Sequence, residues 1–193
     1  MKNLLQVLIF IVSLSKCYSQ NDLSVYKLPK DKYILDSISI KTKTKNFKLI
    51  VLENSKVKNK QNSQHNSNII ILLCNYNNKL YINKQSNELI FSYDDNCPAD
   101  GYGRAVSKNN YFTIEQSSCV DFLFVNSYIT FKIDENTNLI TLHKYGEEYT
   151  DRSNPNKKIP SKVWTKKDFG EVKFESLDEN FLLKLTQNNP KKL

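Results

Sequence analysis

Glycine is scarce in this sequence: four residues in 193, at Gly101, Gly103, Gly146 and Gly170. No glycine-rich run exists to cradle a phosphate, and no Gly-x-Ser-x-Gly elbow presents a nucleophilic serine. Histidine is scarcer still, with His65 and His143 alone, and neither lies near a cysteine in zinc-ligand spacing. Arginine occurs only at Arg104 and Arg152. Proteins that read base sequence depend on arginine forks. The net charge of +8 is therefore read as a solvated lysine surface, and nucleic acid is not an expected partner. No Asn is followed two places on by Ser or Thr, so no N-glycosylation acceptor is present. Beyond the opening residues no apolar run is long enough to span a bilayer; the best is Ile69 to Leu73.

What is present begins at the N-terminus. Lys2 precedes a nearly unbroken apolar stretch from Leu4 to Leu14, and Cys17 and Ser19 stand at minus three and minus one from a cut before Gln20. This is the pattern of a secretory signal peptide over residues 1–19. A lipid anchor at Cys17 fits less well, because Lys16 sits where a small residue is expected. The expected location is outside the cytoplasm: periplasmic, cell-surface or secreted. Residues 20–193 then form a single β-rich domain.

Alternation of apolar and polar residues marks the strands. It appears in Tyr33–Ile40, and β-branched or apolar runs follow at Phe47–Glu53, Asn68–Tyr76, Lys79–Asn83 and Glu88–Tyr93. The segment 54–67 has Val57 as its one apolar residue and reads as a flexible loop, with His65 solvated in it. In "YFTIEQ", Phe112, Ile114 and Gln116 share one face. "SYITFKID" sets Ile129, Phe131 and Ile133 inward, and "LITLHKYG" sets Ile140 and Leu142 against Thr141, His143 and Tyr145. The "ENTN" turn between the last two makes them a hairpin. Glu147 to Lys162 reads as a surface connection. A last strand is expected at Phe169–Glu175, then a helix to Asn189 with Ser176 and Glu179 as a capping box and Leu177, Phe181, Leu182 and Leu185 as its apolar stripe. The expected fold is mainly β, a small antiparallel sheet or sandwich-like domain with a C-terminal α-helix over the end of 169–189.

Three of the four cysteines lie beyond the signal peptide: Cys74, Cys97 and Cys119. An exported protein permits one disulfide among them, with three choices of partner. Cys74 sits in an apolar strand and suits packing. Cys97 precedes Pro98, and a turn at Gly101-Tyr102-Gly103 returns the chain toward Cys119, so Cys97–Cys119 is the expected bond. Closing that loop stabilises by roughly 3 kcal/mol in the chain-entropy model. Asp94, Asn96 and Asp100 before Gly101 offer oxygen ligands, but their spacing is not that of a calcium loop, and they are read as a turn. Glu115 and His143 are the one acid–base pair that a sheet face can bring together. No catalytic, metal or cofactor-binding residue is assigned, and no cofactor is expected.

The stretches "YFTIEQSSC", "NSYITFKID" and "LITLHKYGEEYTD", with "ILLCNYNNKLYIN" before them and "KDFGEVKFE" after, resemble a group of uncharacterised bacterial exported proteins. The resemblance covers about residues 26–175 and is most specific over 97–145. It implies an opening segment similar to an FG-GAP-type calcium loop, a small antiparallel sheet, and no known activity. Here the opening reads "KLPKDK"; of the ligand pattern only Asp31 is present, and Lys32 replaces glycine. The expected function is that of a non-enzymatic binding or envelope-associated module whose partner is a protein or an envelope component. The alternative is a secreted hydrolase, or an inhibitor or immunity-type protein, using the Glu115/His143 face.

Overall fold

A computed structural model describes residues 32–54, 68–74, 80–86, 89–91, 97 and 101–188, with the backbone alone for 54, 68–74 and 80–85. The signal peptide, Asp31, the loop over 55–67 with His65, and Asp94, Asn96 and Asp100 lie outside the described residues. So does the Cys74 side chain.

Two antiparallel sheets make up the molecule. The first runs β1 (Lys32–Lys41), β2 (Asn46–Asn54), β3 (Asn68–Cys74) and β4 (Leu80–Ser86), paired in chain order. The second runs β5 (Gly101–Lys108), β6 (Tyr111–Val120), β7 (Leu123–Ile133), β8 (Ile140–Asp151) and β9 (Lys162–Thr165), also in chain order. Tight polar turns allow this. Asn109 and Asp121 take left-handed backbone at φ 55° and 52°, which short polar side chains tolerate. In the β7–β8 connection the Asp134 carboxylate accepts the backbone N–H of Asn136 and of Thr137, at 2.8 and 3.1 Å.

Alternation decides which side of the second sheet is buried. Phe112, Ile114, Ile129, Phe131, Ile133, Ile140 and Leu142 face one core, met by Ile40, Phe47, Leu49 and Val51 of the first sheet. β2 is buried on both faces, since Ile50 and Leu52 are fully covered as well, which is why its sequence is an unbroken apolar run. Phe112 and Phe131 stack at 5.0 Å, and Phe174 meets their edges at 6.2 and 5.1 Å. Truncating a ring so enclosed costs about 3–5 kcal/mol.

Several expectations are corrected. Glu88–Tyr93 is not a strand over its described part: Leu89, Ile90 and Phe91 are irregular, and all three are buried. Three buried residues in succession fit a covered irregular segment as well as a strand buried on both faces such as β2, so the apolar run alone does not decide between them. The Gly101-Tyr102-Gly103 segment is the start of β5 rather than a turn. Register passes from Tyr102↔Gln116 to Arg104↔Glu115, so Gly103 is a bulge. A Cβ there would lie 3.2 Å from the Glu115 carbonyl oxygen, which explains the glycine. Glu147 to Lys162 is not all surface connection, because β8 continues to Asp151 and Lys162 opens β9.

The strand expected over Phe169–Glu175, first part of the C-terminal unit 169–189, is also absent. A helical turn, Lys166–Phe169, ends at Gly170 with φ 74°, and Phe174–Ser176 forms a 3-10 turn. Only one bridge, Thr141↔Lys173, marks the place, with the Leu142 N–H donating to the Val172 carbonyl at 2.8 Å. The helical turn interrupts what would otherwise run on along the edge of β8 from β9. The C-terminal helix, Glu179–Asn188, does form. Its cap is Asp178, whose carboxylate accepts the Phe181 N–H at 2.7 Å, rather than Ser176. Leu177, Leu182 and Leu185 are buried against the core as the stripe requires.

Side chains join the sheets where β1 lies beside β5. The Tyr102 hydroxyl donates to the Asp36 carboxylate, the Ala105 N–H approaches the same oxygen at 3.4 Å, and the Ser107 hydroxyl donates to the Ser39 carbonyl at 2.9 Å. Asp36 follows a bulge at Leu35, where the β1–β2 register shifts.

Candidate functional site

Cys97 and Cys119 are joined as a disulfide, with their Cα atoms 5.5 Å apart. Cys97 is fully buried. The bond works with Gln116, itself 2 % exposed. The Gln116 side-chain carbonyl accepts the Phe91 N–H at 2.9 Å, and its amide donates to the Leu89 carbonyl at 3.2 Å. A glutamine side chain thus stands in for a neighbouring strand and satisfies two buried backbone groups. The segment before β5 is tied to β6 at both of these points.

The site of interest is the other face of the five-stranded sheet. Directly paired residues share a face, so the register gives the rows. One row reads Arg104, Glu115, Tyr128, Gly146, Val163. The next reads Val106, Thr113, Thr130, Lys144, Thr165. Gly146 has no side chain in the middle of this grid. A Cβ added there would meet only the Lys162 carbonyl oxygen at 3.7 Å and a Val163 methyl at 3.9 Å, so the position is a hollow rather than a close approach. Around it lies a groove of about 360 Å³, walled by Val106, Tyr128, Lys144, Glu148, Lys162 and Val163. Val106 and Val163 are 41 % and 53 % exposed, which puts apolar surface at both ends of a polar floor.

Four of the polar side chains at the groove are engaged in two pairs. Arg104 pairs with Glu115 at 2.8 Å, and the Tyr128 hydroxyl donates to Glu148 at 2.9 Å. Burial first, then the Glu148 carboxylate, raises the Tyr128 phenol above its ordinary pKa. Glu147 serves the inner side instead. The hydroxyl of the buried Tyr145 donates to one of its oxygens at 2.6 Å, and Tyr149 donates to the other. Desolvation and this carboxylate hold both phenols neutral well beyond physiological pH.

Glu115 and His143 do lie on this one face, but not together. His143 is the unpaired residue of a bulge between Leu142↔Phe131 and Lys144↔Thr130, and its ring meets that of Tyr111 at 4.9 Å. Tyr111 is four residues from Glu115 along β6, about 13 Å at the rise of a strand. Glu115 lines the groove and has Arg104 as its partner; His143 does not line it. The same bulge turns Tyr145 inward, where plain alternation put it outward. The groove itself went unread in the sequence. One signal was there, the alternation of Val163 and Trp164 within Lys162–Thr165; plain alternation puts Gly146 on the inward side, and only the His143 bulge turns it outward. Among the described residues no three His, Cys, Asp or Glu side chains gather to hold a metal ion, and no helix is long and apolar enough to cross a membrane. No protein-family profile, curated protein or solved structure matches this chain.

Proposed function

We propose that this protein is an exported binding module, associated with the cell envelope, that uses the outer face of β5–β9 as its contact surface. The observation that carries the reading is the hollow at Gly146. A five-stranded sheet needs only one buried face, and here the other is organised into a groove with apolar ends and paired polar walls. The N-terminal segment supports export, and the resemblance of residues 97–145 to exported bacterial proteins supports the envelope. Glu115 and His143 each have another partner, which favours contact over acid–base chemistry.

Filling the hollow tests the reading from the side opposite the core, because a Cβ at residue 146 meets its neighbours only at ordinary contact distance. The full chain and its Gly146→Leu variant are to be expressed in the native host and fractionated. The expected result is a mature chain beginning near Gln20 in the envelope fraction, and a variant of unchanged melting temperature that moves to the soluble exported fraction. Equal partition of the two forms, or an intact Met1 on the abundant form, overturns it.

A further inference from the structure

One end of the outer face has a different character from the groove. The row beyond Val106 and Lys144 reads Lys108, Tyr111, Lys132, Thr141, Lys173 across the whole sheet, the last step being the isolated bridge. At the spacing of paired strands it is roughly 20 Å long. Lys108, Lys132, Lys144 and Lys173 are all exposed. Tyr111 lies among them, with Lys132 Nζ 6.0 Å from its ring centre and His143 against its edge at 4.9 Å. Hydroxyls complete the surface: Thr113 and Thr130 bond each other at 2.9 Å, and Thr141 and Thr165 stand in the same two rows. These two rows contain no carboxylate. The carboxylates around them are committed: Asp134 to the turn N–H groups of residues 136 and 137, Glu171 to Lys166, Glu135 to Thr44, and Asp168, beside the end of the row, to the N–H and hydroxyl of Thr165.

From this juxtaposition we infer that the Lys108–Lys173 end of the outer face binds a linear anionic polysaccharide, its charges on the lysine row and its sugar rings against Tyr111 and His143. The inference rests on the reading of this face as a contact surface and names its ligand class. Lysines in a row match a repeating charge as point charges, without the planar fork that arginine brings to phosphates and bases. A flat ring with an apolar face beside hydroxyl groups suits the alternating apolar and hydroxyl edges of a sugar. The His143 bulge contributes by placing two successive side chains, His143 and Lys144, on the outer side.

The test measures binding of the full mature chain to three polymers: a sulfated glycan of the heparin type, a uronic-acid polymer, and neutral dextran. Charge recognition predicts binding to one or both anionic polymers, weakening as salt rises through about 0.15 M, and none to dextran. The sulfated and uronate arms tell which anion the row prefers. The combined variant Lys108→Gln, Lys132→Gln, Lys144→Gln, Lys173→Gln is expected to lose at least about tenfold in affinity with its circular dichroism unchanged. Arg152→Gln with Lys158→Gln, which removes two exposed charges from the connection between β8 and β9, is expected to change it less than about twofold. Tyr111→Ala tests the ring apart from the charge and is expected to weaken binding at every salt concentration. Equal loss from both charge variants, no binding of either anionic polymer, or stronger binding of a nucleic-acid duplex than of the polysaccharides overturns the inference. If neither polymer binds while Gly146→Leu still leaves the envelope, the ligand class is wrong and the contact surface stands. If the polymers bind through the lysine row while Gly146→Leu stays in the envelope, the ligand class stands and the role given to the Gly146 groove is wrong.

Discussion

Gln116 joins a correct reading to a missed one. The alternation Phe112, Ile114, Gln116 places it on the buried face, and it is buried. Alternation cannot say what a buried amide is for. That depends on Leu89 and Phe91, some twenty-five residues away in sequence, leaving a backbone N–H and a carbonyl without a strand beside them. Gln116→Leu keeps the volume and removes both bonds. It is expected to destabilise by about 2–4 kcal/mol, since each buried backbone group left unsatisfied costs about 1–3 kcal/mol. Gln116→Glu keeps the acceptor for Phe91 and fails Leu89, so it is expected to be destabilised at neutral pH as well. Denaturant titration of the three proteins checks this; a leucine variant within 0.5 kcal/mol (about the scatter of surface substitutions) contradicts it. Tyr145 is the opposite case. Its apparent outward position followed from strict period two, and one extra residue, His143, reverses the face of everything after it.

Elements were legible where a strand alternates over six or more residues and its turns are short and polar. β6, β7 and β8 satisfy both conditions, and the hairpin between β7 and β8 follows from composition alone. β5 and β9 were not found because their signals are brief. Glycine at 101 and 103 mimics a turn, and four residues at Lys162–Thr165 lie next to a proline-punctuated stretch. Glu88–Tyr93 failed for the converse reason: apolar residues in succession fit a buried irregular segment as well as a strand. That segment is held to β6 by Gln116, and the Cys97–Cys119 bond fastens the chain beyond it. Non-reducing peptide mapping is expected to recover the two cysteines as one cross-linked fragment. Cys119→Ser is expected to lower stability by about 2–4 kcal/mol. A cross-link from Cys74 to either partner contradicts the pairing.

At the scale of the whole molecule, a mainly β, sheet or sandwich-like architecture with a terminal helix was readable, and the assignment of strands to two sheets was not. Which strands share a sheet is settled by their pairing, and how the two sheets meet by contacts between β1 and β5 and by the common core; where one sheet ends and the other begins leaves no local pattern in the sequence. The groove on the outer face was equally hidden, because it is assembled from five strands by register. The meeting of β1 and β5 has a consequence in time. Within each sheet every strand pairs with the one beside it in sequence, so the pairings inside a sheet close shorter loops than the meeting of the two sheets and are expected to form before it. The Tyr102–Asp36 and Ser107–Ser39 bonds link residues more than sixty positions apart and contribute nothing until both halves exist. Docking of two preformed meanders is therefore the expected slow step of folding. On that account Asp36→Ala slows refolding with little effect on unfolding, while Thr130→Ala, on the face of one meander alone, changes the refolding rate by less than about twofold. Stopped-flow rates for the two variants decide it, and the idea fails if Asp36→Ala acts only on the unfolding limb.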